Sequence, residues 1–108
     1  MRTARQTARW FGTAVEDVAF GHVLGRVRRA AGLTQARLAE LIPMEKSRIV
    51  RFETGRQHAR IADVLAIEGA LLQVGAIPAD GHLLGLTRNA IPILDELLAA
   101  KAGERSAA

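Results

Sequence analysis

The sequence predicts an all-α fold, a compact bundle of five helices. Apolar residues make up 49% of its 108 residues and charged residues 24%, which is typical of a folded globular domain. The apolar residues are mainly Ala, Leu, Ile and Val, and Ala and Leu favour helices. Apolar residues recur at spacings of three and four, and glycine or proline stands between these segments. We therefore expect helices separated by short turns.

The first firm helix is predicted over residues 20–31, because its apolar residues form one stripe at helical spacing. These residues are Phe20, Leu24, Val27 and Ala31. Gly32 is placed to end this helix with a positive φ. Residues 1–19 are interpreted as an arm with a short extra helix, since Thr13 and Glu16 have the spacing of a capping box.

Four further helices follow from the same periodicity and from residues that start or stop helices. Thr34 is placed as the N-cap of the second helix, and Pro43 ends that helix because proline has no backbone N–H to donate. Gly55 ends the third helix, and Gly75 opens the loop after the fourth. Pro92 is expected in the first turn of the last helix. The predicted ranges are 35–41, 45–53, 61–73 and a last helix from about residue 89, with 83–88 left unassigned.

Charge is distributed unevenly along the chain. The formal net charge is +4, yet residues 23–60 hold nine basic and three acidic residues, whereas residues 61–108 hold three basic and six acidic ones. A basic half beside an acidic half favours a surface that faces a polyanion such as nucleic acid. On charge alone, a solvated Arg-rich surface explains the same distribution equally well.

Several other classes of protein are not favoured. No cysteine is present, so neither disulfides nor thiolate ligands are expected. The first residues lack the apolar run of a signal peptide, and no run approaches roughly 18 apolar residues, so we expect a cytoplasmic protein without a membrane span. The histidines lack metal-ligand spacing, and no nucleophile motif or phosphate loop is present. We therefore expect no enzyme activity, no metal and no cofactor.

The second and third predicted helices have the features of a helix-turn-helix. The small residue Ala39 suits the place where the two helices cross, and Ile49 and Phe52 would face inward. Polar side chains project from the start of the third helix, and Lys46 and Ser47 share a side with Arg51 at spacings of five and four. The polar residues are Lys46, Ser47, Arg48 and Arg51. The pattern predicts that this helix reads the major groove of DNA.

The motif resembles the phage Cro/repressor-type (XRE-like) helix-turn-helix regulators. The matching residues are Gly32-Leu-Thr-Gln-Ala-Arg-Leu-Ala-Glu-Leu41 and Lys46-Ser-Arg-Ile-Val-Arg-Phe-Glu-Thr-Gly55. The resemblance covers about 20–72 and implies a repressor-like bundle. It divides the chain into the arm at 1–19, a helix-turn-helix DNA-binding domain at 20–74 and a C-terminal loop and helix at 75–108.

The resemblance also implies a DNA-binding function for individual residues. Gln35 corresponds to a residue that bonds a backbone phosphate, and Thr34 lies beside it. The positions that contact base edges in the family are occupied by Lys46, Ser47 and Arg51. Arg48 and Arg56 are better placed for phosphates, and an ordinary solvated surface position remains the alternative for both.

Other positions concern the framework of the domain. Arg28 and Glu53 match a family ion pair that ties the first helix to the end of the third. Three residues depart from the family pattern: Pro43 replaces a turn glycine, Glu45 occupies an N-cap position where Ser or Thr is common, and Glu68 replaces a small residue of the fourth helix.

The last helix carries an apolar row without an obvious partner in the helix-turn-helix core: Ile91, Leu94, Leu97 and Leu98. One recognition helix reads only a few base pairs, so we expect this row to hold a homodimer on an inverted repeat. Burial of the row against the fourth helix of the same chain remains the alternative. The predicted function is a sequence-specific transcriptional regulator, a repressor that binds double-stranded DNA. The alternative is an antitoxin that binds a toxin and autoregulates its operon.

Overall fold

The computed structural model describes residues 14–93 and residue 96. These residues form helices and turns, with no strand among them, which confirms the predicted all-α fold of five helices. The helices are α1 (Ala14–Ala30), α2 (Gln35–Leu41), α3 (Lys46–Glu53), α4 (Ile61–Gln73) and α5 (residues 83–93). The predicted ranges of α2 and α4 agree with the structure, and α3 begins one residue later than predicted.

The predicted start of the first helix at Phe20 is wrong, because α1 begins at Ala14 and includes the segment predicted as a short extra helix. Glu16 and Asp17 lie in its first turn, where carboxylates interact favourably with the positive end of the helix dipole. Glu16 and Ala19 continue the buried stripe toward the N-terminus, although neither has a large apolar side chain. A periodicity built on large apolar residues therefore found only the second part of the helix.

The predicted start of the last helix near residue 89 is also wrong, because α5 begins at residue 83. Its N-terminus is capped from another helix: the Leu83 N–H donates to Glu68 Oε2 of α4 at 2.9 Å. Thr87 is fully buried and donates to the Leu83 carbonyl oxygen at 2.7 Å, so a polar residue occupies a core position. Pro92 consequently lies near the described end of α5 and not in its first turn.

The core joins all five helices around two aromatic rings. Phe20 of α1 and Phe52 of α3 are fully buried, and their rings meet edge to face with centroids 6.1 Å apart. Leu38, Ile67 and Leu83 complete this core from α2, α4 and α5. A Cβ atom at Gly21 would collide with the carbonyl oxygens of α3, so glycine allows the close crossing of α1 and α3.

Candidate nucleic-acid interface

The α2–α3 pair is held together by its caps, its turn and its apolar side. Thr34 Oγ1 accepts from the Arg37 N–H at 3.0 Å, which makes Thr34 the N-cap of α2 as predicted. The turn contains a cis Ile42–Pro43 peptide bond, and the Met44 N–H returns to the Ala39 carbonyl oxygen at 2.7 Å. With no glycine in this turn, all its residues keep negative φ values.

Opposite sides of α3 differ sharply in exposure. Ile49 and Phe52 are fully buried, whereas Lys46, Ser47 and Arg51 are exposed. The N-cap residue Glu45 is exposed too and makes no side-chain cap bond. The apolar side therefore fixes α3 in the core, and the polar side is open to a partner.

A partly buried cluster joins the end of α1 to both helices of the pair. Arg28 donates to both oxygens of Glu53, from Nε at 2.7 Å and from Nη2 at 2.9 Å, and its Nη1 donates to the Leu33 carbonyl oxygen at 2.9 Å. The two charged side chains are only 11% and 8% exposed. The hydrogen bond to Glu53 raises the pKa of Arg28, so the guanidinium keeps its charge.

Gln35 belongs to the same cluster. Its Nε2 donates to Glu53 Oε1 at 3.1 Å, which fixes the amide at the start of α2. An amide nitrogen carries two hydrogens, so the bond to Glu53 leaves one donor. Glu53 thus holds in place a residue that the sequence assigns to a phosphate.

The Arg48 side chain contacts α4 and the Phe52 ring of its own chain. Its Nη2 donates to Asp63 Oδ1 of α4 at 2.9 Å, and its guanidinium lies 5.5 Å from the centre of the Phe52 ring. Asp63 also accepts from the Arg60 N–H at 3.1 Å, so one carboxylate caps α4 and pairs with α3. Sequence reasoning missed Asp63, whose partner fifteen residues away could be found only from the packing of α3 on α4.

Arg51, unlike Arg48, bonds to an uncharged side chain. Its Nε donates to Gln57 Oε1 at 2.7 Å, while the side chain stays exposed. Gln57 lies beyond the turn that Gly55 makes with a φ of +70°. Sequence reasoning missed Gln57 as well, because a glutamine after a glycine carries no distinguishing signal.

The other predicted contacts are exposed or lie elsewhere. Within the part of the chain that the structure describes, the side chains of Lys46, Ser47 and Arg56 are exposed and make no hydrogen bond or ion pair. Of the predicted dimerisation residues, Ile91 is half-buried on α5. Leu94, Leu97 and Leu98 lie outside the described residues.

Two features are absent from the described residues, 14–93 and 96. No group of three or more His, Asp or Glu residues there lies close enough to hold a metal ion. None of the helices there combines the length and the apolar character that a membrane crossing requires.

Two short helices joined by a turn, with one buried and one exposed polar side, define a helix-turn-helix. Residues 19–71, about half of the chain, match the family model described as a helix-turn-helix domain. Comparison with curated proteins and with solved structures returned no match. The chain therefore contains a helix-turn-helix domain, which confirms that part of the predicted resemblance. Membership of the Cro/repressor-type family stays a prediction.

Proposed function

We propose that the protein is a sequence-specific DNA-binding transcriptional regulator of the Cro/repressor type, a repressor that acts as a homodimer in the cytoplasm. The observation that carries the proposal is the exposed polar side of α3, with Lys46, Ser47 and Arg51, opposite a fully buried apolar side. The match of residues 19–71 to the helix-turn-helix domain supports it. In this motif the second helix enters the major groove with its exposed side toward the bases.

The exposed residues of α3 suit the reading of base edges. Arg51 and Lys46 can donate to guanine O6 and N7, and Ser47 can serve several bases because a hydroxyl both donates and accepts. Glu45 precedes them as an exposed anion, which would repel phosphates and disfavour docking positions that bring the backbone close to it.

The phosphate contacts would come from the edges of the motif. Gln35 retains one amide hydrogen beyond its bond to Glu53, and Thr34 lies beside it at the N-terminus of α2. Arg56 is exposed after α3, and Arg48 retains donors beyond its bond to Asp63. Such contacts set the register of the protein on the duplex and make the affinity depend on salt. This mode of binding involves no catalytic step and no cofactor.

The experiment begins with the operator. A genomic footprint of the purified protein identifies it, and mobility shifts then compare the wild type with Arg51→Ala and Arg48→Ala. We expect Arg51→Ala to remove the preference at one base pair, which corresponds to about 1–3 kcal/mol of discrimination. Arg48→Ala should weaken binding to all duplexes similarly, reduce the salt slope by about one and lower the stability through the lost bond to Asp63.

The charge-matched control is Arg26→Ala, since Arg26 is exposed on α1 and α1 is not part of the helix pair. Unchanged affinity and unchanged base preference in Arg51→Ala would contradict the proposed recognition helix. The footprint also tests the regulatory context. A site confined to the protein's own promoter, beside a small toxin-like reading frame, would favour the antitoxin alternative over a plain repressor.

A further inference from the structure

We propose that Gln57 is a positioning residue that orients the Arg51 guanidinium, so that Arg51 reads guanine through its two terminal nitrogens. The inference rests on the proposed function, because it concerns how a base contact of α3 is prepared. Gln57 itself would not touch the base.

The geometry of the Arg51–Gln57 pair favours this role for Gln57. The distance from Arg51 Nε to Gln57 Oε1 is 2.7 Å, at the short end for an N–H···O hydrogen bond. Gln57 is half-buried while Arg51 is exposed. The Gln57 side chain is therefore the more constrained of the two and limits the movement of Arg51. The bond occupies the Nε–H and leaves the Nη1 and Nη2 hydrogens for another acceptor.

The turn that carries Gln57 is packed against the rest of the domain. Gly55 takes a φ of +70°, and the Arg56 N–H donates to the Arg51 carbonyl oxygen at 2.9 Å, so the chain folds back on the last turn of α3. Val18 of α1 backs this turn, because a Cβ atom at Gly55 would lie 3.0 Å from Val18 Cγ2. The position of Gln57 is therefore set by the packed framework of the domain.

Two arginines of the same helix differ in the charge of their partners. Arg48 donates to a carboxylate, Asp63, whose negative charge partly offsets that of the guanidinium. Arg51 donates to a neutral amide, which holds the guanidinium and leaves its positive charge available to DNA. A planar guanidinium held at one nitrogen presents a fork that matches the O6 and N7 acceptors of guanine. Prior ordering of a long side chain also reduces the entropy lost on binding.

The test measures base discrimination at the base pair that Arg51→Ala identifies. Gln57→Met removes the amide oxygen and keeps the length of the side chain, whereas Gln57→Glu keeps an oxygen acceptor. We expect Gln57→Met to reduce discrimination at that base pair by about 2-fold to 10-fold, the scale of ordering one long side chain. Preference at other base pairs, affinity for non-specific duplex and the salt slope should not change. Gln57→Glu should keep the discrimination and weaken all binding through its added negative charge.

The controls separate positioning from other causes. Gln73→Met changes an exposed glutamine at the end of α4 and should leave all binding parameters unchanged. In an Arg51→Ala background, Gln57→Met should have no further effect on discrimination, because the oriented group is already gone. Circular dichroism of each variant verifies that it is folded, and Gln57→Ala serves as a second deletion of the acceptor.

The outcomes also distinguish the inference from the function on which it rests. If Arg51→Ala abolishes discrimination and neither Gln57→Met nor Gln57→Ala reduces it twofold, the positioning by Gln57 is wrong and the DNA-binding function stands. If Gln57→Met and Gln57→Ala weaken all duplexes equally, Gln57 binds a phosphate and the inference is overturned. If the wild type prefers no sequence, the proposed function fails, and the inference fails with it.

Discussion

Glu53 of α3 accepts hydrogen bonds from two other helices of the domain. Two come from Arg28 at the end of α1 and one from Gln35 at the start of α2, while Glu53 itself ends α3. Its carboxylate thus sets the relative position of the helix that would read the bases and the residue proposed to bind a phosphate. A charge with this little exposure depends on its partner, since solvent does not replace a lost ion pair.

We expect Glu53→Gln to destabilise the protein, because the amide would leave the partly buried Arg28 charge uncompensated. Breaking a fully buried pair costs on the order of 3–5 kcal/mol, so we expect a smaller loss for this pair, and denaturant unfolding measures that loss. The matched control is Glu40→Gln, which breaks an exposed pair with Arg37 and should cost less than about 1 kcal/mol. Equal unfolding midpoints for Glu53→Gln and the wild type would show that the pair contributes no stability.

The sequence predicted the ion-pair partner of Arg28 and did not predict that of Arg48. The sequence predicted that Arg28 and Glu53 pair, and the two side chains do lie in contact. It assigned Arg48 to phosphates, which stays a prediction, and it did not predict the bond from Arg48 to Asp63. The difference arises because Arg28 and Glu53 were matched to a motif with a known pair, while the partner of Arg48 lies on a helix that the motif does not define.

At the scale of secondary structure, α5 depends on a side chain of α4. Glu68 is 9% exposed, and its Oε2 satisfies the buried N–H of Leu83 at 2.9 Å. His82 Nδ1 lies 3.4 Å from the other oxygen of the same carboxylate. Glu68 stands where the resemblance implies a small residue, and a small residue could not reach the N-terminus of α5.

Glu68→Ala should therefore loosen the docking of α5 on α4. The variant leaves the Leu83 N–H buried without an acceptor, which costs about 1–3 kcal/mol. Denaturant unfolding measures the total loss in the free energy of unfolding. Amide hydrogen exchange should show that this loss is localised to α5. Glu68→Gln keeps an oxygen acceptor and should lose less. A loss no greater than that of Gln73→Ala, an exposed change on the same helix, would contradict the capping by Glu68.

At the scale of the whole molecule, the apolar surface left exposed bears on assembly. Leu83, Thr87 and Ala90 of α5 pack into the core of their own chain, so α5 is part of the monomer. Leu86 and Ile93 on the same helix remain 39% and 63% exposed. On α4, Ile61 and Leu65 are 54% and 56% exposed. The exposed apolar residues of α5 support the proposed dimer through this helix, and those of α4 are not assigned to it.

We expect a two-fold dimer that places two copies of α3 about 34 Å apart, or a multiple of that distance, on an inverted repeat. The double change Leu94→Lys, Leu98→Lys should produce a folded monomer with weak operator binding. Sedimentation at micromolar concentration, with and without operator DNA, measures the oligomeric state. The comparison variant is Leu65→Lys, which alters exposed apolar surface on α4 and should remain dimeric.

Each other result contradicts part of this prediction. Loss of folding in the double variant would place Leu94 and Leu98 in the core of the monomer. Dissociation by Leu65→Lys alone would move the interface to α4. A wild-type chain that sediments as a monomer, both free and on DNA, would exclude the dimer altogether.

The amino-acid sequence by itself determined the helical class, the bounds of α2 and α4, and the polar and apolar sides of α3. These features depend on residues near each other in the chain: Thr34 as a cap, Pro43 and Gly55 as stops, and apolar side chains at helical spacing. Local interactions act over a few residues, so a single sequence contains all the information that they need.

The tertiary structure alone decided where α5 begins and which way the arginines of α3 point. Glu68 caps α5 from fifteen residues away, and Asp63 binds Arg48 across the same separation. Gln57 holds Arg51 through a turn that rests on Val18 of α1. These bonds join residues that only the packing of separate helices brings within hydrogen-bond distance, and no spacing in the sequence specifies that packing.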